Sequence, residues 1–307
     1  MDFSNINLKQ HFTDKQKTDS FLYLQKYIFD KISQNQPFFI GRLSGVETAL
    51  CGSLINKKKI SKELIKELLY NAGIKFNNSN DAISYTKYYN TACKNADVLG
   101  IWAGETYLQA ILYYQFISKY FPNKKCICAQ GLEPYYYIND SDYKYNKIFE
   151  NKKVLIITSH SETIKQQLHN HLNIFNKPIF HETTQFFVYK GTQQNAGNHD
   201  NNNWIYHLDK MKKDIKEIKE IFNYDIVLTG CGGFSMLISD YIYTELKTSV
   251  IYVGGSLQLF FGIMGNRWKT NSKIMNLTNK NWTSVLNEDI PKSLKLRPEL
   301  CENSCYW

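Results

Sequence analysis

The stretch Asp225-Ile-Val-Leu-Thr-Gly-Cys-Gly-Gly233 is followed, after one helix-length segment, by Ser249-Val-Ile-Tyr-Val-Gly-Gly-Ser256. Each begins as a short apolar, β-branched run, the composition of a strand covered on both faces. Each stops at a glycine cluster and opens into a helix-like segment. Glycine lets the backbone come close to a ligand, and a following helix N-terminus offers free N–H groups and a positive dipole end to an anion. Two such edges constrain the chain to an α/β sheet with a crevice suited to a phosphate-bearing ligand.

The rest of the sequence fits that constraint. Phe21, Leu24, Ile28 and Ile32 keep helical spacing and predict a first amphipathic helix ended by polar Ser33 to Gln36. Pro37 to Gly41 reads as a buried strand, followed by helices at 46–55, 61–72 and 80–95. A strand within 96–102, a helix over 105–120 and short strands at 125–129 and 153–158 come next. A helix at 160–173, a strand at 178–181 and a charged helix at 204–222 complete the series. The Gly-, Asn- and Gln-rich stretch from Lys190 to Asn203 has no periodicity and reads as a mobile loop. Beyond Arg267 the chain reads as irregular, with a short helix at 281–287. Strands alternating with helices predict a doubly wound, mostly parallel Rossmann-like sheet with helices on both faces. No internal repeat or Pro- or Gly-rich linker divides the 307 residues. The expectation is one domain, 1–307, with an N-terminal helix and an irregular tail.

Composition narrows the partners. A net charge of +9 favours acidic ligands, including nucleotide diphosphates and anionic membrane surfaces. The lysines form only short clusters, such as Lys57-Lys58-Lys59, so no nucleic-acid stripe is seen. No apolar stretch reaches the roughly twenty residues that span a bilayer, and Met1 to Lys15 lacks the apolar region of a signal peptide. Seven cysteines, an odd number without paired zinc spacing, point to reduced thiols and a cytoplasmic location. Peripheral membrane contact and a homo-oligomer are left open.

Candidate chemistry gathers at the strand ends. The first strand runs into Arg42-Leu-Ser-Gly-Val-Glu47. An arginine there can fork onto a phosphate or carboxylate. Glu47 is a candidate base or metal ligand, although Ser44-x-x-Glu47 also matches a capping box. Ser159-His-Ser-Glu162 repeats the pattern, with Glu162 as a capping residue and His160 as a candidate acid or base on the same sheet edge. His169 and His171, two apart on one helix, face different ways and make a poor metal pair. Trp102, Glu105 and Glu133, with the rings of Tyr135 to Tyr137 nearby, are candidates for an acceptor pocket. Arg267 suits either a diphosphate or a surface salt bridge.

The run Phe38-Phe-Ile-Gly-Arg-Leu-Ser-Gly-Val-Glu47, together with the late glycine turns, resembles the GT-D-fold glycosyltransferases, which carry Arg-Phe-Gly-Asp-Gly-Glu after a strand. The correspondence covers residues 37 to 262 in order. The family's arginine falls on Arg42 and its glutamate on Glu47; the late turns fall on Gly230, Cys231, Gly232 and Gly233 and on Gly254 and Gly255. The resemblance implies a single domain that moves a sugar from a nucleotide-sugar donor, such as a UDP-sugar, to a glycan or lipid-linked acceptor. It implies a donor site of Ser44, Gly45, the two glycine turns, Ser256 and Arg267. In that family an Asp-x-Glu pair holds a divalent metal, usually manganese. Here Gly45 replaces the aspartate, which leaves Glu47 alone as the metal ligand and shifts diphosphate neutralisation toward Arg42, Arg267 and the glycine loops.

Two other readings stand beside this one. Val227 to Gly233 also resembles the glycine-rich first motif of S-adenosylmethionine-dependent methyltransferases, though that motif normally opens the sheet and here lies in the last third. A non-catalytic nucleotide-binding module is the third reading, given Gly45.

Overall fold

The computed structural model describes residues 11–102 and 108–307. Helix α1 (Asp14–Ser33) opens on a capping box: Thr13 Oγ1 accepts from the Gln16 N–H at 3.2 Å, and Gln16 Oε1 accepts from the Thr13 N–H at 2.9 Å. Its stripe of Phe21, Leu24 and Ile28 is fully buried, with Ile32 partly so. Each such side chain stabilises the fold by roughly 1.5–3 kcal/mol.

Next come β1 (Phe39–Arg42), α2 (Gly45–Ile55), α3 (Lys62–Glu67), α4 (Ser79–Asn95), β2 (Val98–Ile101), α5 (Leu108–Tyr120) and β3 (Lys125–Cys128). After a run of 3-10 turns the chain continues through β4 (Lys153–Thr158), α6 (Ser161–Gln167), β5 (Gln185–Lys190) and α7 (Trp204–Phe222). It finishes the sheet with β6 (Ile226–Gly230), α8 (Ser235–Thr244) and β7 (Ser249–Tyr252). All seven strands pair in parallel, in the order β3-β2-β1-β7-β6-β4-β5, giving the expected Rossmann-like α/β fold.

Two cores cover the two faces. Side chains of α2, α4, α5, α7 and α8 pack with Phe39, Leu99 and Val227 on one face, whereas α1, α6 and the 3-10 helix Gly255–Phe261 pack with Ile40, Leu228 and Ile251 on the other. Four neighbouring strands therefore alternate in where they lead: β1 and β6 run into helices on the first face, β7 and β4 onto the second. Each reversal is a topological switch point, where diverging loops leave a crevice above the carboxyl ends of the strands. The registers Arg42↔Gly100, Thr229↔Tyr252 and Thr158↔Gly230 bring those ends close to level.

The tyrosine content is mostly structural: Tyr85, Tyr89, Tyr113, Tyr135, Tyr145 and Tyr224 are fully buried. All seven cysteines are buried thiols outside any disulfide. Among the described residues no helix is long and apolar enough to cross a membrane.

Several expectations need correction. Residues 178–181 form no strand; Ile179 and Phe180 are apolar because they fill the second core against Phe149, Phe186 and Phe261. The strand of this region is β5, an edge strand pairing only with β4 and carrying the apolar run Phe186 to Tyr189. The helix at 160–173 stops at Gln167, with one 3-10 turn after it. In place of a helix over 281–287, Thr283–Ser284 pairs with Ile263–Met264 in a separate two-stranded sheet, and a 3-10 turn begins only at Asn287. The segment from Lys190 to Asn203 is irregular but anchored, because Ala196 is fully buried against Leu300, Cys301 and Trp307.

Candidate functional site

A cavity of about 210 Å³ lies over the carboxyl ends of β1, β7, β6 and β4, on the run of switch points. From β1 and α2 it receives Arg42, Ser44, Gly45 and Glu47; from the two glycine turns it receives Gly230, Gly232, Gly254 and Gly255. Trp102, His160 and Arg267 complete the predicted residues brought together there. A second cavity of about 400 Å³ adjoins it and shares Arg42, Trp102, Gly255 and Arg267, adding Glu133 and Ser256. Cys231 and Gly233 line neither: Cys231 is buried, and a Cβ on Gly233 would meet Ile74 Cγ1 at 2.6 Å, so close packing against Ile74 and Tyr85 accounts for that glycine. Glu105 lies outside the described residues.

Arg42 is the last residue of β1. Its guanidinium carbon sits 5.1 Å from the centre of the Trp102 ring and 5.9 Å from that of Tyr252, so the cation is framed by two aromatic faces. Among the described residues no carboxylate closes an ion pair with it. Instead it lies between two buried carboxyls, and its charge acts on both Glu47 and Glu133. Gly254, at φ +82° and ψ −153°, gives the arginine room.

Glu47 is 4% exposed, in the first turn of α2. Ser44 takes the N-cap position, but its hydroxyl caps no backbone N–H, so the expected capping box does not form. Burial raises the Glu47 carboxyl above the usual range, an effect that Ser44, its own backbone N–H and then Arg42 only partly offset. Glu133, 9% exposed, is raised by burial in the same way and again opposed by Arg42.

The second expected capping box is also absent. His160, not Ser159, holds the N-cap position of α6 and its side chain caps nothing. The helix start is capped from afar by Asp289, fully buried, whose carboxylate accepts from the Glu162 N–H at 3.3 Å and the Thr163 N–H at 2.7 Å. Glu162 turns outward to Lys165 at 2.9 Å. His160 is thereby left on the cavity wall, tilted against Trp307 with ring centres 5.7 Å apart. Burial lowers its pKa to about 4, with Asp289 pulling the other way, so the ring is neutral at neutral pH.

Arg267 resolves toward the salt-bridge reading while still lining both cavities: its Nη2 pairs with Glu302 Oε2, and its Nη1 donates to Tyr306 Oη at 3.1 Å. Glu302, Tyr306 and Asn195 are cavity residues that no sequence pattern singles out, because they arrive from segments without periodicity. Tyr252 is a missed residue with a signal, since it ends β7 just before the second glycine turn.

One property sets the first cavity apart. Two of its lining residues carry buried polar atoms with no hydrogen-bond partner, Asn195 Oδ1 and Gln258 Oε1, and the buried Ser44 hydroxyl and His160 ring make only loose contacts, to Glu47 and Tyr252 and to the Tyr306 backbone. Each such atom costs about 1–3 kcal/mol when left unsatisfied, so their concentration at one place marks a site arranged for a polar ligand. A divalent metal fits less well. Among the described residues no three His, Cys, Asp or Glu side chains form a metal-binding group. Glu47 stands beside Gly45, and the cleft's other carboxylate, Glu302, is committed to Arg267.

No protein-family model, curated protein or solved structure shows significant similarity to the chain.

Proposed function

We propose that the protein is a glycosyltransferase that moves a sugar from a nucleotide-sugar donor, with the donor in the first cavity and a glycan or lipid-linked acceptor in the second. The observation that carries this reading is the pair of adjoining cavities joined at Arg42, one lined by the unpartnered Asn195 Oδ1 and Gln258 Oε1 and both open to the same cation. A transferase needs two substrates to meet at one charged point, where the leaving diphosphate gains negative charge.

In this reading the diphosphate lies at the junction against Arg42, with Arg267, held by Glu302 and Tyr306, at its edge and the glycine turn Gly254–Ser256 as its floor. Trp102 and Tyr252 hold the Arg42 fork in place, so little order is lost when it binds an anion. The acceptor oxygen bonds to the anomeric carbon as the sugar–diphosphate bond breaks, and its electron pair leaves with the diphosphate. The acceptor proton passes to the Glu47 carboxylate, which burial makes more basic than an ordinary carboxylate. His160, neutral, serves as a hydrogen-bonding group on the cavity wall.

The test is thermal shift with a panel of nucleoside diphosphates and nucleotide sugars, each with and without manganese. Stabilisation by at least one, lost in Arg42→Ala, is the expected result. No stabilisation by any of them would sink the transferase reading. Stabilisation by S-adenosylmethionine alone would favour the methyltransferase alternative, and nucleotide binding without turnover would favour the non-catalytic module.

A further inference from the structure

The second cavity has a charge pattern that the first lacks. Four cationic side chains reach its wall, Lys17 from α1, Arg42 from β1, and Arg267 and Lys273 from the segment after β7, against the single carboxyl of Glu133. Arg42 and Arg267 also face the first cavity, whereas Lys17 and Lys273 do not. These two lysines also line a smaller hollow of about 290 Å³ next door, together with Asp14 and Asp140, which places them on the side away from the junction. Lys17 is paired at 3.0 Å with Asp14, but that carboxylate is 81% exposed. Such a surface pair is weak and yields readily to a better-placed anion.

The remaining wall is of another kind. Trp102, Tyr136 and Trp268 present rings, and Gln130 and Asn271 present amides. Ring faces mixed with amide donors and acceptors suit a ring that is apolar on its faces and hydroxylated at its rim. The two ends differ in charge, lysines at one and Glu133 at the other, so an anionic group is drawn to the first and kept from the second.

We infer that the second cavity binds a saccharide bearing an oxyanion, a phosphate or a carboxylate, with the anion held by Lys17 and Lys273 and a hydroxyl turned to the junction, where Arg42 lies between Glu133 and Glu47. That this saccharide is the acceptor rests on the transferase reading above; the binding itself does not. The orientation brings the uncharged end of the sugar to Arg42, where the donor is proposed to react, and leaves its charge at the far wall.

Isothermal titration of the full chain with glucose 6-phosphate, glucuronate and glucose tests the inference. At least one of the two anionic sugars is expected to bind well above glucose, and which of them binds separates phosphate from carboxylate recognition. The double variant Lys17→Gln/Lys273→Gln is expected to weaken that binding about tenfold or more, as loss of two charge-assisted contacts should. UDP affinity should stay within about twofold, because neither lysine lines the donor cavity and screening limits their reach. Binding of glucose as tight as that of both anionic sugars, no binding by any of the three, or undiminished binding in the double variant overturns the inference. If UDP fails to bind the unaltered protein while the anionic sugar binds and depends on the lysines, the transferase reading falls and the anionic saccharide site stands.

Discussion

The guanidinium of Arg42 lies directly against the Cα of Gly254: a methyl group added there would stand 1.7 Å from Nη1. The contact joins the ends of two neighbouring strands, β1 and β7, whose chains depart to opposite faces of the sheet. The glycine turn thus shapes the space for the cation as well as the floor of the cleft, and the same conformation, at φ +82°, excludes other residues.

Gly254→Ala is therefore expected to act twice. Backbone strain of about 1–3 kcal/mol should lower the melting temperature. Displacement of Arg42 should weaken nucleoside diphosphate binding in the same variant. Arg42→Ala supplies the comparison, with affinity lost and the glycine turn left unstrained. If Gly254→Ala binds diphosphate as tightly as the unaltered protein, the glycine does not position the arginine.

Glu47→Gln should separate stability from activity. The folded state holds the Glu47 proton to higher pH than the unfolded chain does, because burial raises its pKa. The unfolded chain thus releases its proton first, and stability is lost as pH rises from the ordinary carboxylate range through the raised folded value. Glutamine is neutral throughout, so the variant should melt higher than the unaltered protein at pH 8 and nearly equal to it at pH 4. Glycosyl transfer, once a donor and an acceptor are found, should fall by two or more orders of magnitude if Glu47 is the base. Full activity in Glu47→Gln would remove it from the mechanism.

How much of this was legible in the sequence depends on what signals each element. The buried strands β1, β4 and β6 are short apolar runs, and α1 and α7 keep clear helical spacing, so each falls close to its expected place. Arg42, Glu47 and His160 follow from those strand ends and do meet in one cavity. The edge strand β5 did carry a signal, the run Phe186-Phe-Val-Tyr189, but the apolar Ile179 and Phe180 just before it drew the strand assignment to 178–181, and only the fold shows that those two fill the core instead. Both expected capping boxes failed, since residue spacing cannot show that Asp289, a buried side chain 127 residues further on, caps α6 in place of Ser159. Lys17 and Lys273 read as solvated charge until the fold carries them to one cavity wall.

Asp289 is the least replaceable of those long-range contacts. Besides the two backbone N–H groups, it accepts from Thr163 Oγ1 at 2.7 Å and lies 3.6 Å from Lys190 Nζ. An asparagine in its place would keep one acceptor oxygen and turn an amide N–H toward donors. Asp289→Asn should cost about 1–3 kcal/mol, as a cap lost in a buried setting does. In urea this should appear as a lower midpoint with an unchanged slope. An unchanged midpoint would mean that α6 is held by packing alone.

His160 gives a prediction in the opposite pH direction from Glu47. The unfolded chain takes up a proton on this residue near its ordinary pKa of 6.5, whereas the buried ring in the fold resists protonation until about pH 4. Between those values the unfolded state binds more protons, so stability falls as pH falls, and the loss levels off once the folded ring is also charged. At 1.36 kcal/mol per pK unit the full effect is at most about 3 kcal/mol. His160→Gln removes the titration while keeping a polar side chain at the cavity wall. Urea unfolding of both proteins at pH 7 and pH 4.5 should show the variant gaining on the unaltered protein as the solution is acidified. Parallel losses in the two proteins would mean that the ring reaches water or a proton acceptor in the folded state, and that its neutrality does not contribute to the cleft.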